Sequence, residues 1–306
     1  MKCRNTYLLI ASLVIMNSVV TGQTGYFVSG IFSNKMLFNP SQAGLRGAGD
    51  IHVIFKTAMD NSQSGLAREM VVTGDIPVSQ SAGVGFVLQN QSAGLLKQTV
   101  FNFCYAYGIK FREDFKLRFG IGAGFKNIRA QTNSSSLESI VGDPNDPALT
   151  AYNSIPPSFY NVFSVSANMK NIELQLVAPN LTAAIQNKSL QRLDYVQFQG
   201  GISYAKQIGG GNLLNNESSL RVFGGAMMYK QSGTLIMGGI ELNANGYLTA
   251  NAMYNSTGVM TGGLGVVLDK SVRIGINYSI GGLYSRTIYG GAGVAELHVG
   301  YLFKKK

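Results

Sequence analysis

Residues 115–126 alternate without a slip. Phe115, Leu117, Phe119, Ile121, Ala123 and Phe125 share one face, and Lys116, Arg118, Gly120, Gly122, Gly124 and Lys126 share the other. A two-residue period sends successive side chains to opposite faces of a β-strand. Residues 272–281 repeat the pattern, with Val272, Ile274, Ile276, Tyr278 and Ile280 against Arg273, Gly275, Asn277, Ser279 and Gly281. Similar segments at 51–59, 67–76, 82–90, 97–108, 159–169, 171–178, 194–205, 218–229, 234–243, 246–254, 260–268 and 294–303 predict about fourteen strands, within a range of roughly 12–16.

The connections between these segments separate a soluble sandwich from a closed barrel. Membrane barrels place short turns at one end and longer loops at the other. Tight turns at Lys170-Asn171, Asn243-Ala244-Asn245-Gly246 and Asp269-Lys270 all follow even-numbered strands. Long connections at 127–157, 179–193 and 282–293 all follow odd-numbered ones, and the exception is the Gly-rich 206–217. A sandwich gives no reason for this segregation. Hydrocarbon cannot hydrogen-bond an exposed sheet edge, so an all-β membrane chain must close and pair its last strand with its first. The expected fold class is therefore all-β: a closed antiparallel transmembrane β-barrel of residues 50–306, preceded by a short segment 23–49.

Composition agrees. Charged residues make up 13% of the chain, with 38 Gly and 15 Tyr, and no apolar run after the N-terminus approaches the ~20 residues that a spanning helix requires. At that N-terminus, Lys2 and Arg4 precede the apolar run Tyr7 to Met16 and then Val20-Thr21-Gly22. This is the layout of a secretory signal peptide, so residues 1–22 are expected to be cleaved and the mature chain exported to the outer membrane. Cleavage would remove Cys3 and leave Cys104 as the only thiol. The barrel would then stand without an intramolecular disulfide, and Cys104 is expected to pack as a small buried residue.

Little in the chain points to catalysis. The two histidines, His52 and His298, fall on the first and last strands, which closure makes neighbours. Two imidazoles are too few for a persuasive metal site. Patterns such as Gly120-Ile121-Gly122-Ala123-Gly124 lie inside a strand rather than at a strand-to-helix turn, so they are not phosphate loops. No enzymatic activity, cofactor, nucleic acid or small-molecule substrate is expected. The inward glycines of 120–124, 263–265 and 275 thin the lumen wall, leaving room for a water path or an inserted segment. The stretch 137–157 carries Glu138, Asp143 and Asp146 beside Pro144 and Pro147. It lacks the ligand spacing of a calcium loop and is expected to be an external loop available to a partner.

The segment before the first strand, "IFSNKMLFNPSQAGLRGAGD" at 31–50, resembles the N-terminal signature of the PorP/SprF family of type IX secretion outer-membrane proteins. The fit is carried by Asn39, Pro40, Ala43 and Gly44. The closing "ELHVGYLF" at 296–303 resembles the family's last strand, and Leu297, Val299, Tyr301 and Phe303 resemble the terminal signal read by barrel-assembly machinery. The chain departs from the family at Gln42, where an aromatic is common, and at Phe55-Lys56-Thr57-Ala58, where an Arg-x-Gln-Trp-like cluster is common.

The resemblance implies a barrel in the outer membrane of Bacteroidota that works with type IX components, or that supports export or surface attachment of a large adhesin. Phe38, Asn39, Pro40, Ala43 and Gly44 would then plug the lumen or dock a periplasmic partner. A rival resemblance is to transporters of the FadL type, whose N-terminal hatch carries Asn-Pro-Ala where this chain has Asn39-Pro40-Ser41. That reading implies a barrel passing hydrophobic or small solutes.

Overall fold

The computed structural model describes residues 29–59, 68–93, 96–130, 156–181, 196–210, 214–230, 232–281 and 293–303, with positions 147, 150, 153 and 154. Among these residues, fourteen antiparallel strands form one closed barrel. They are β1(Asp50–Ala58), β2(Arg68–Pro77), β3(Ala82–Ala93), β4(Leu96–Arg112), β5(Phe115–Ala130), β6(Ser158–Met169) and β7(Ile172–Pro179), then β8(Val196–Gln207), β9(Ser219–Tyr229), β10(Thr234–Ala244), β11(Leu248–Asn255), β12(Val259–Leu268), β13(Val272–Gly281) and β14(Val294–Leu302). Each strand pairs with its neighbours in sequence. Closure is made by β1 against β14, in a register running from Asp50 opposite Leu302 to Ala58 opposite Val294.

The alternation that predicted the strands separates two solvents. Phe119, Ile121 and Phe125 on β5, and Ile274, Ile276, Tyr278 and Ile280 on β13, are exposed on the outer face, while Arg118 and Asn277 are buried inside. Leu297, Val299 and Tyr301 on β14, with Phe303 just beyond it, also point outward. An outer band of this kind is what a barrel presents to lipid. No helix among the described residues is long and apolar enough to cross a membrane, which says nothing against crossing with strands.

The strand ends differ from expectation mainly in β4 and β5, which run four residues past 108 and 126, to Arg112 and Ala130. The two pair with each other along this whole length through a register shift at Lys110 and Arg112, so mutual hydrogen bonding sustains them where periodicity fades. The turn after β10 begins two residues later than the sequence suggests, at Asn245, because Asn243 and Ala244 still pair with β11. Asn245 and Gly246 follow at φ 58° and 73°. Asp269 and Lys270, between β12 and β13, sit at φ 48° and 54°. Two successive left-handed residues match the right-handed twist of the flanking strands in a tight hairpin. The expected loop residues Glu138, Asp143 and Asp146 lie outside the described residues.

Candidate functional site

Residues 29–49 lie within the barrel, across its lumen. The segment begins with a 3-10 turn, Ser29–Ile31, followed by the single helical turn α1(Lys35–Phe38) and a second 3-10 turn, Pro40–Gln42. Such short helices have no cooperative stability of their own, so capping and the barrel wall hold them. Asn34 caps α1, its Oδ1 accepting from the backbone N–H of Met36 (3.1 Å) and Leu37 (3.3 Å). Asn39 does the same for the second turn, accepting from the N–H of Ser41 at 2.9 Å. Pro40 then occupies the first position, where a missing N–H costs nothing and φ is already set.

Two asparagines and a proline thus fold the segment sharply enough to fit inside a barrel. The turn closes on Gly44, at φ +69°. A Cβ there would sit 2.8 Å from Gly83 Cα and 2.9 Å from the Ile76 carbonyl oxygen, so both the backbone conformation and the space demand glycine.

One side of the segment is apolar. Ile31, Phe32 and Phe38 pack with Val196, Phe223, Met227, Leu235, Met237 and Met253 on β8–β11. The Phe223 ring receives Phe32 and Phe38 edge-on, with centroids at 6.3 and 6.1 Å, a favourable aromatic geometry. Met36 and Ala43 pack near Ala106, and Leu37 near Ile54 and Val71.

The other side is held by polar groups of the wall. Arg118 donates through Nε to the Ser41 carbonyl (2.7 Å) and through Nη2 to the Ala43 carbonyl (2.6 Å). Asp75 accepts from the Gly44 N–H at 2.6 Å, and Gln199 donates to the Phe38 carbonyl at 2.5 Å. Ser41 N–H also reaches Ser164 Oγ (3.0 Å), and its hydroxyl donates to Ser166 (2.9 Å). Asn39 Nδ2 donates to Gln175 at 3.3 Å. Lys35 pairs with Glu173, and Asn34 donates to Thr73. Burial lowers the Lys35 ammonium pKa below the usual lysine range, and the Glu173 carboxylate opposes that shift. Gly120 on β5 lies against the Ser41 backbone, and a Cβ there would collide with it and with Ser164 Oγ. An inward glycine of β5 therefore lets the segment lie against the wall.

Phe38, Asn39, Pro40 and Ala43 are all buried, and Gly44 is partly covered. None of the first four offers a free surface at the mouth of the barrel. Their partners Arg118, Asp75, Gln199, Ser164 and Phe223 were not singled out by sequence reasoning. Inward position on alternating strands was the available signal, but it marks every lumen residue alike.

His52 and His298 both face inward and join one polar network near the β1/β14 seam. His52 Nε2 lies 3.1 Å from Asp50, which also pairs with Arg46 (2.5 Å) and Arg273 (3.4 Å). His298 contacts Glu296, Asn277 and, through Nδ1, Ser33 Oγ at 3.0 Å. Each imidazole has its own carboxylate, and the described residues contain no His/Cys/Asp/Glu cluster able to hold a metal. Cys104 is buried in β4 with Asn102 Nδ2 at 3.5 Å from its sulfur.

A family model described as the type IX secretion system membrane protein PorP/SprF matches residues 20–301. No curated protein matches the sequence. Among solved structures, the Acinetobacter baumannii outer membrane protein Omp33 is similar at TM-score 0.50 and 8% identity, over 84% of this chain and 98% of that one. A triple mutant of the Rhodopseudomonas blastica porin is similar at TM-score 0.35 and 10% identity, over 84% of this chain and 99% of that one. The first likeness bears on the fold alone, that of an outer-membrane barrel.

Proposed function

This chain belongs to the PorP/SprF family of type IX secretion system membrane proteins, and from that premise we propose that it acts by binding rather than by chemistry. The family and the fold are those of an outer-membrane β-barrel in type IX secretion. The barrel supports export or surface attachment of a partner protein, such as a large adhesin, in the secretion and gliding machinery of Bacteroidota. Residues 1–22 serve as the cleaved signal peptide and 23–49 as the lumen plug. The strand end rich in tight turns faces the periplasm, as in bacterial barrels, and Glu138, Asp143 and Asp146 belong to an external partner loop. Leu297, Val299, Tyr301 and Phe303 form the assembly signal.

The observation that carries this reading is the anchoring of the backbone of Phe38 to Gly44 to the wall through Arg118, Asp75 and Gln199. A lumen crossed by a segment held in this way is poorly suited to free passage of solutes. The test is affinity isolation of the full chain from native membranes. The reading expects type IX ring components or a large secreted protein to accompany it, lost from the cell surface when 137–157 is deleted. A barrel that copurifies with lipid alone, in cells whose surface proteins are unchanged by its deletion, would refute it.

The alternative is a FadL-like or porin-type barrel passing hydrophobic or small solutes. One observation favours it: a cavity of about 430 Å³ remains beside the plug. Solute uptake into liposomes that rises on removing 29–45 would support that reading.

A further inference from the structure

We propose that a hollow on the outer wall of the barrel, at the tight-turn end of β4–β8, binds the headgroup of an anionic phospholipid. The hollow has a volume of about 780 Å³ and is bordered by Asp114, Lys170 and Asn171 of the turns after β4 and β6. The choice of lipid rests on the orientation given above, which turns this end toward the periplasm and so toward the phospholipid leaflet of an outer membrane.

A register shift puts a cation on this outer wall. Arg112 has the parity of Asn102, Cys104 and Ala106, which are buried inside, so unbroken alternation would send it to the lumen. Lys110 pairs with Lys116, but Arg112 pairs with Phe115, which makes Phe111 an extra residue in β4. A bulge of this kind re-aims the side chains beside it. Directly paired residues share a face, and the row runs on in register from Phe115 to Met169, Ile172 and Tyr204. Met169, Ile172 and Tyr204 are exposed on the outside, so Arg112 stands on that outer face with them. Phe111 is 58% exposed and stacks on Phe115, with ring centroids 5.5 Å apart.

The row is apolar and its rim is cationic. Arg112 is exposed, and among the described residues its guanidinium has neither an ion pair nor a hydrogen bond. Lys170 meets Asp114 only at 3.8 Å, with both side chains half or more exposed, a pair of little strength in water. Among the described residues, Asp114 is the single carboxylate bordering the hollow. Backbone bonds fix the frame: the Lys170 N–H donates to the Asp114 carbonyl (3.0 Å), and the Ala205 N–H to the Asn171 carbonyl (2.9 Å). A guanidinium fork matches phosphate oxygens, with a lysine as a second point charge, and the apolar row beneath them offers acyl chains a surface. Toward the middle of the barrel that row adjoins Ile109, Leu174 and Ile202 of the outer band. This continuity with the lipid-facing surface favours a lipid over a soluble acidic protein.

The test is native mass spectrometry of the full-length barrel in detergent, titrated with dioleoylphosphatidylglycerol or with dioleoylphosphatidylcholine, which has the same chains and no net charge. The structure predicts that phosphatidylglycerol is retained about fivefold more strongly, or better. Arg112→Gln combined with Lys170→Gln should abolish the preference, and Asp114→Asn should increase it. Lys270→Gln, in the exposed turn after β12 and away from the hollow, should leave it unchanged. Glycerol 3-phosphate in large excess should not displace the lipid, since it lacks the chains. Heat-resistant migration on gels verifies that each variant is folded. Equal retention of the two lipids would overturn the proposal and leave the hollow to a soluble acidic partner. A preference kept by the folded double variant, one lost equally in Lys270→Gln, or displacement by glycerol 3-phosphate would also overturn it. None of these outcomes bears on whether type IX proteins copurify.

Discussion

Arg118 donates through Nη2 to the carbonyl of Ala43 at 2.6 Å, joining a strand of the barrel wall to a backbone 75 residues earlier in the chain. The same guanidinium reaches the Ser41 carbonyl, so one buried cation caps the C-terminal end of a 3-10 turn, where unpaired carbonyls gather. Hydrogen bonds to a charged group contribute about 1.5–3 kcal/mol each. Arg118→Ala should therefore release the plug, seen as protease cleavage between residues 29 and 49 in an otherwise folded barrel, and Arg118→Lys should restore part of the protection. Equal protection in Arg118→Ala would show that the remaining polar and apolar contacts hold the segment without this guanidinium.

Gly120 supplies the clearance for that contact. Gly120→Val would drive a side chain into the Ser41 backbone, and overpacking typically costs about 1–3 kcal/mol. The expected result is an exposed plug with little change in the temperature at which the barrel loses its heat-resistant gel mobility. Gly122→Val, directed at Asn102 rather than the plug, should leave protease protection of the segment intact.

Phe38 is expected to dominate the apolar side. Truncating a buried Phe typically costs about 3–5 kcal/mol, and Phe38 meets both the Phe223 ring and the cluster on β8–β11. Phe38→Ala should expose the segment to protease at least as strongly as Arg118→Ala. Phe223→Ala, its partner in the wall, should reproduce the phenotype without being additive with it.

Strand periodicity makes the fold legible in the sequence, because in a barrel the same alternation meets lipid outside and the lumen inside. Fourteen segments could be placed, and the pairing of β1 with β14 followed from the need to remove edges. The lumen was far less readable. Asn39, Pro40 and Gly44 stand out as turn chemistry in sequence, yet nothing local to Arg118 distinguishes it from Lys116 or Lys126 on the same face. Which inward residue meets the plug depends on barrel closure and on register, both non-local. The network of Asp50, His52 and Arg273 was hidden for the same reason: its members come from opposite ends of the chain.

The outward face makes its own prediction. Leu264 is 71% exposed on the outer side of β12, and an arginine facing the bilayer midplane costs about 2–4 kcal/mol in barrels. Leu264→Arg should lower the yield of folded barrel in membranes, whereas Leu264→Ala should assemble normally. Normal assembly of Leu264→Arg would mean that this face does not meet hydrocarbon.

The claim that the barrel acts by binding with its lumen closed is tested most directly by current through the purified full-length protein in a planar bilayer. The intact chain should give no stable conducting steps, and deletion of residues 29–45 should produce them. Steady porin-sized steps from the intact chain, unchanged by the deletion, would contradict the account.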